Sequence, residues 1–182
     1  MDLPLKIETR RLILRQFNKG DFEFFIEIIK DNSVIENIKY FLTNSDLKEP
    51  ENLFKTIIYS SRTSNPILLF VLIRKEIENS IGSCGFKLLL DRNEAICFYS
   101  LLPQYRGFGF AIEAMKKLIE YGFLKLKLSK VSTFITTKNS AIWKVAERIG
   151  MKYLGHLSIN ELHSKAMYFS IEKNEFDAQR VI

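Results

Sequence analysis

Apolar positions along the chain change their spacing several times, and each change marks an element. Residues 11–17, RLILRQF, partly alternate branched apolar with charged or polar side chains, as a half-buried strand does, and the cap-forming run Asn18-Lys19-Gly20-Asp21 follows. From Asp21 the period lengthens: Phe22, Phe25, Ile26 and Ile29 stand at i, i+3, i+4 and i+7, the stripe of one helix face. Leu47, Phe54, Ile57 and Ile58 recur at helical spacing between about residues 45 and 60 and predict a second helix, while residues 31–44 predict no element. After Asn65-Pro66 come three short apolar runs, ILLFVLIR, IGSCGFKLLL and AICFYSLL, separated by turn-like residues 75–80 and 91–94, which predicts an antiparallel meander. Beyond Pro103, Ala111, Ala114, Met115, Leu118, Gly122 and Phe123 share one side of a helix reaching about residue 125. KVSTFITT then reads as a β-branched strand and NSAIWKVAERIG as a helix closed by Gly150, with two further strands near 151–160 and 165–173.

The resulting order, β, α, α, β, β, β, α, β, α, β, β, is that of a mixed α/β (α+β) protein. With 182 residues, no internal repeat and no linker-like shift in composition, residues 1–182 are expected to form one domain. The formal charge of +6 invites a nucleic-acid reading, but the 27 Lys and Arg are scattered. Most of the densest group, Lys116, Lys117, Lys125, Lys127 and Lys130, falls on the outer face of a helix and the loop after it, and does not form the aromatic-interleaved basic motif of a nucleic-acid binder. A solvated face is expected there, with attraction of a phosphate-bearing small molecule as the alternative, and no nucleic-acid partner. Cys84 and Cys97 lie inside apolar runs without CxxC or Cys/His metal spacing, so buried reduced thiols and no metal site are expected. No run approaches ~18 apolar residues, and the opening MDLPLKIETRRLILR is charged throughout, so the expectation is a soluble cytoplasmic protein without a membrane partner.

The segment PQYRGFGFAIEAM, residues 103–115, sets two glycines and an arginine at a strand-to-helix junction. A Walker loop needs GxxxxGK followed by Ser or Thr, and Phe108 to Ala114 supply neither the lysine nor the hydroxyl. A Rossmann turn needs a small residue where Ile112 stands and an acidic ribose ligand about 20 residues on, where Lys130 and Val131 occur. Two readings remain: a simple tight turn, or an anion nest in which loop amides merge with the unpaired amides of a helix start and Arg106 adds charge.

Context favours the nest. Gln104, Gly107 and Gly109 resemble the acyl-CoA signature Q/R-x-x-G-x-G/A of the GNAT superfamily of N-acetyltransferases, and the resemblance runs from residue 7 to about 173. IETRRLILR resembles the E-T-x-R-L-x-L-R opening of its RimJ/RimL-like branch, and IGSCGF resembles that branch's I-G-x-x-G strand. EAICFYSLLPQYRGFGFAIEAM and NSAIWKVAERIGMKYLG are similar to its two later blocks.

The resemblance implies a mostly antiparallel sheet flanked by helices and splayed between the fourth and fifth strands, with acetyl-CoA as cosubstrate and a primary amine as acceptor, in a monomer or homodimer. Backbone groups of Phe98, Tyr99, Ser100, Leu101 and Leu102 would hold pantetheine in the splay, which fits a proline at 103, since a residue without an N–H ends a ladder. The pyrophosphate would sit on amides of Arg106, Gly107, Phe108, Gly109, Phe110 and Ala111. Asn139 would reach the CoA arm or simply cap its helix, and Trp143 on the same helix is a further expected cofactor contact.

The implied reaction is direct attack of an amine on the thioester, since a covalent cysteine route needs an activated thiolate beside a histidine and His156 and His163 are far from both cysteines in sequence. Glu94 is the candidate base, or else a turn residue in DRNE. Tyr99 is the candidate acid, with Tyr105 and Ser140 behind it, because Ala146 and Ile142 stand where relatives carry a tyrosine and a hydroxyl. The acceptor pocket is expected to be built by the two N-terminal helices and residues 158–165; the net positive charge argues against polycationic acceptors such as polyamines, unless Glu23, Glu27, Glu36 and Glu161 form a local acidic patch. Ser164 and Lys165 replace the aspartate that often precedes the final strand in the branch, and this departs from recognition of a protein N-terminus. The alternative function is a catalytically silent module that binds CoA or another protein.

Overall fold

The computed structural model describes residues 6–31, 49–59, 66–136, 140–159 and 164–180. Its strands are β1 (Lys6–Glu8), β2 (Leu12–Gln16), β3 (Ile67–Arg74), β4 (Asn79–Leu89), β5 (Glu94–Leu101), β6 (Lys130–Thr136), β7 (Lys152–Ile159) and β8 (Ser164–Glu172). Its helices, labelled in chain order, are α1 (Phe22–Ile29), α2 (Pro50–Tyr59), α3 (Phe110–Leu124), α4 (Ser140–Arg148) and α5 (Lys173–Arg180). The strands form one sheet in the order β1-β2-β3-β4-β5-β6-β8-β7, antiparallel at every step but β5 to β6.

A capped single turn of 3-10 helix, Lys19–Asp21, leads into α1. The Asn18 side chain accepts from the Gly20 amide at 2.8 Å, and the Asp21 carboxylate accepts from the Asn18 amide at 2.7 Å, a reciprocal cap. The same carboxylate takes a two-pronged bond from Arg15 of β2 at 2.9 and 2.7 Å, so the start of α1 is tied to the sheet. Burial alone would raise the Asp21 carboxyl, but the bonds from Arg15 and Asn18 outweigh it and hold the group below its ordinary range.

Phe25 and Ile29 of α1 meet Leu53, Phe54 and Ile57 of α2 over Leu69 of β3, covering one face of the sheet. On the other face α3 buries Ala111, Ala114, Met115, Leu118, Gly122 and Phe123, the whole stripe its spacing predicted. Gly150 closes α4 as expected: its φ is +92°, its amide donates to Glu147 O at 2.9 Å and the Met151 amide donates to Ala146 O at 3.0 Å, the paired bonds of a left-handed helix end.

Two described elements were not anticipated. β1 has only three residues, Lys-Ile-Glu, and exists through pairing with β2 (Ile7↔Leu14) rather than through any pattern of its own. α5, KNEFDAQR, is polar and buries no residue fully; Phe176 leans on Phe123 with ring centroids 4.9 Å apart.

Counting β1, the fourth and fifth predicted strands are β5 and β6, and the sheet splays between them. Their parallel pairing stops after Glu94↔Lys130, Ala95↔Val131 and Ile96↔Ser132. β5 stays paired to β4 as far as Gly82↔Leu101, while β6 stays paired to β8 as far as Thr136↔Ala166. Each strand follows its own half-sheet, and the edge of β5 from Cys97 to Leu101 has no strand opposite it among the described residues. At ~3.3 Å per residue that edge is about 16 Å long.

Candidate functional site

The open edge leads directly into the glycine loop. The Leu102 amide still donates to Ile81 O at 3.0 Å, extending the β4–β5 ladder by one residue, and Pro103, lacking an N–H, ends it. A tight turn over Pro103–Tyr105 follows, then Gly107 at φ +86° and Gly109 at φ +80°, the N-cap of α3. Both glycines hold a left-handed backbone that L side chains resist. The amides of Gly107, Phe108 and Gly109, with those of Phe110, Ala111 and Ile112 in the first turn of α3, donate to no backbone acceptor among the described residues; the first bond of the helix is Glu113 N to Gly109 O at 3.1 Å. Six successive amides beside a positive helix end form an anion cradle.

Arg106 departs from its expected place in that cradle. Its amide already donates to Pro103 O at 3.2 Å, closing the turn, so the cradle begins at Gly107. Its guanidinium reaches back to Leu101 O (Nε, 2.9 Å) and to Asp31 Oδ2 (Nη2, 2.6 Å), pinning the end of β5 and the segment after α1 rather than the loop interior. Gln104 and Phe108 are exposed at the loop surface, and Tyr105 packs beside Ile28 and Leu102.

Alternation assigns the main-chain groups of β5. The Leu102 amide faces β4, so those of Ser100 and Phe98 face β4 as well, while the main chains of Cys97, Tyr99 and Leu101 face the splay. Of the expected set Phe98–Leu102, Tyr99 and Leu101 thus present backbone to the gap, and Cys97 joins them. Leu101 O is the acceptor engaged by Arg106. Phe98 contributes its ring instead, packing with Ile96, Leu69 and Phe134 on the α1–α2 side. The ring lies over Gly85 of IGSCGF: a Cβ there would overlap Leu68 O and stand 2.8 Å from Phe98 Cζ, so that glycine permits close approach.

The titratable candidates sit less favourably. Glu94 lies at the closed end of the splay with its Oε1 2.9 Å from Lys130 Nζ, opposite it in register, so a base there would act from a carboxylate paired with an ammonium. The Tyr99 side chain packs toward α3; burial pushes its phenol up to about 12, with Arg106 opposing in part, so it remains protonated at neutral pH and can donate a hydrogen bond but not act as a base. Burial likewise pushes the Cys97 thiol up to about 12 and raises Cys84 further, which leaves neither as a ready thiolate. Trp143 is half-buried against the α3-side core. Asn139, Glu36, Glu161 and His163 lie outside the described residues, whereas Glu23 and Glu27 are exposed one turn apart on α1.

Thr9, Arg11 and Glu113 converge on the back of the loop, and Arg11 Nη1 donates to Phe108 O at 3.0 Å. Sequence reasoning assigned them no role. Their signal was present, since Arg11 belongs to the ETRRL opening and Glu113 to the glycine block, but their meeting is a property of the fold. Among the described residues no group of three or more His, Cys, Asp or Glu could hold a metal, and no helix is long and apolar enough to cross a membrane.

Comparison with known proteins agrees with this architecture. The profile of the acetyltransferase (GNAT) domain matches residues 11–152. An uncharacterized N-acetyltransferase, p20 of Bacillus licheniformis, is 28% identical over 152 residues, covering 82% of this chain and 83% of its own. A putative ribosomal N-acetyltransferase, YdaF of Bacillus subtilis (strain 168), is 30% identical over 86 residues, 45% of this chain and 47% of its own. Among solved structures, spermidine N-acetyltransferase from Vibrio cholerae in complex with CoA and spermine superposes with a TM-score of 0.73 at 20% identity, covering 92% of this chain and 99% of that one. With its splayed sheet, its glycine-capped α3 and a family match over most of its length, the chain belongs to the GNAT acetyltransferase family and is an acyltransferase.

Proposed function

We propose that this single-domain chain is an acetyl-CoA-dependent N-acetyltransferase that moves the acetyl group directly to a primary amine. One observation carries the reading: the β5 edge left open by the splay is joined through a single tight turn, Pro103–Tyr105, to the six-amide cradle of Gly107 to Ile112. An extended thiol arm that ends in a pyrophosphate matches that sequence of edge and cradle. Main-chain groups of Cys97 and Tyr99 would pair with the arm as a strand would, and the cradle would take the phosphates. Phe98 and Phe134 form an apolar wall on the α1–α2 side, from which the amine would approach.

In the transfer, the amine nitrogen forms the new C–N bond to the thioester carbon, the C–S bond breaks, and one proton passes from the amine to the departing thiolate. Both cysteines are buried thiols, which supports direct attack over a covalent cysteine intermediate. Positioning supplies much of the rate in such a site, and no described side chain need act as base if the acceptor arrives as the free amine. YdaF is the relative that points toward the RimJ/RimL-like branch, and the polyamine complex is the neighbour that points to a small-molecule amine.

A panel of amines offered with acetyl-CoA and followed by free-thiol release tests the proposal; saturable release with at least one amine is expected. The engagement of Glu94 by Lys130 favours a second reading, a silent CoA-binding module. Tight CoA binding with no thiol release for any amine would establish that reading instead.

A further inference from the structure

The ETRRL opening has no part in the reaction as derived above, yet its side chains hold the back of the cofactor loop. Glu113 Oε1 accepts from the Thr9 hydroxyl at 2.6 Å and from the Arg11 amide at 2.7 Å, while Oε2 accepts from Arg11 Nε at 2.6 Å. The Thr9 hydroxyl also accepts from the Leu12 amide at 2.8 Å, so the turn between β1 and β2 is built into the same network. The Arg11 guanidinium lies over the buried Phe110 ring, 4.5 Å from its centroid, and its Nη1 donates to Phe108 O at 3.0 Å. Thr9 and Glu113 on one side and the Phe110 ring on the other therefore orient Arg11, whose Nη1 reaches the peptide unit joining Phe108 to Gly109.

That peptide matters because a trans peptide points its C=O and its N–H in opposite directions. With Phe108 O held by Arg11 on one side, the Gly109 N–H is turned to the other, where it donates to no acceptor among the described residues. Glu113 poses a second problem. It lies in the first turn of α3, close to where a pyrophosphate would sit, and an unpaired carboxylate there would repel the ligand. Arg11 neutralises it: burial works to raise the Glu113 carboxyl, but the bonds from Thr9 and Arg11 outweigh this and keep it ionised and paired.

We propose that Arg11 is a positioning residue for the cofactor loop: oriented by Thr9 and Glu113, it fixes the Phe108–Gly109 peptide so that the Gly109 amide faces the pyrophosphate of CoA. The inference deepens the CoA reading above and rests on it. Lysine should not substitute, because a single ammonium cannot bridge Glu113 and Phe108 O as the planar fork does.

The test compares two probes, CoA and pantetheine, which shares the thiol arm but carries no pyrophosphate. For Arg11→Gln and Arg11→Lys, CoA affinity measured by calorimetry should fall about tenfold, the loss expected for one bond to a charged group. Pantetheine affinity, followed by NMR shift titration, should not change. Thr9→Val, a milder variant that keeps the fold should Arg11 variants fail to express, should show the same selectivity with a smaller loss. Unchanged CoA affinity in the Arg11 variants, or in Thr9→Val equal losses for both probes, would overturn the assignment. Wild-type protein that binds no CoA would instead overturn the underlying reading, and this inference with it.

Discussion

Gly109 offers the sharpest perturbation of the loop, because its neighbourhood separates conformation from crowding. A Cβ at this position would meet nothing nearer than Arg11 Nη2 at 3.5 Å, an ordinary contact, so space is no obstacle. The backbone is: an L residue held at φ +80° costs about 1–2 kcal/mol. A Gly109→Val chain therefore has two outcomes. It can keep the left-handed backbone and lose about that much stability, or rotate to negative φ and swing the Gly109 N–H out of the cradle. The second forfeits a hydrogen bond to a charged phosphate, about 1.5–3 kcal/mol, or roughly 10–100-fold in affinity. Urea denaturation and calorimetric titration with CoA, run on the same samples, read both costs. We expect the Val variant to lose at least about tenfold in CoA affinity and no more than about 2 kcal/mol in stability, with Ala intermediate and Asn, which tolerates the left-handed region, least affected. A Val variant that binds CoA as wild type does at unchanged stability would refute the reasoning.

Other perturbations probe the frame around the loop. Gly85→Ala forces a methyl against Leu68 O and the Phe98 ring, so urea denaturation should show a loss of about 2 kcal/mol from overpacking, and unchanged stability would mean that β3 and β4 part easily. Asp21→Asn removes the carboxylate that Arg15 and the Asn18 amide share and should cost about 2 kcal/mol near pH 7, less than a fully buried pair because Arg15 is partly exposed. The folded carboxyl lies below its unfolded value, so this contribution is complete above about pH 4 and is lost as the pH falls through the folded value. The difference in melting temperature between wild type and variant should therefore shrink at acid pH, and a difference constant from pH 3 to 7 would contradict the pairing.

What the sequence discloses and what it withholds divide along contact distance. The α3 stripe from Ala111 to Phe123 was legible because helical spacing and burial are the same fact seen twice, and Gly150 because only a left-handed helix end demands that residue there. β1 and α5 were not legible: three residues have no period, and KNEFDAQR carries no apolar stripe. At the site, the glycines and Pro103 announced the loop and the end of the ladder. The engagement of Glu94 by Lys130 and of Arg106 by Asp31 joins residues far apart in the chain, and pairings of that kind follow from topology alone. The same holds for Arg11 and Glu113, each part of a recognisable block, whose meeting depends on β2 and α3 lying side by side.

The central claim, that CoA lies along the open edge of β5 with its pyrophosphate on the α3 cradle, is tested most directly by titrating isotope-labelled protein with CoA and following backbone amide resonances. The account predicts saturable shifts concentrated at the amides of Gly107 to Ile112 and at Cys97, Tyr99 and Leu101, with little change in α5 or β1. Absence of saturable binding, or shifts that avoid both the loop and the β5 edge, would contradict it.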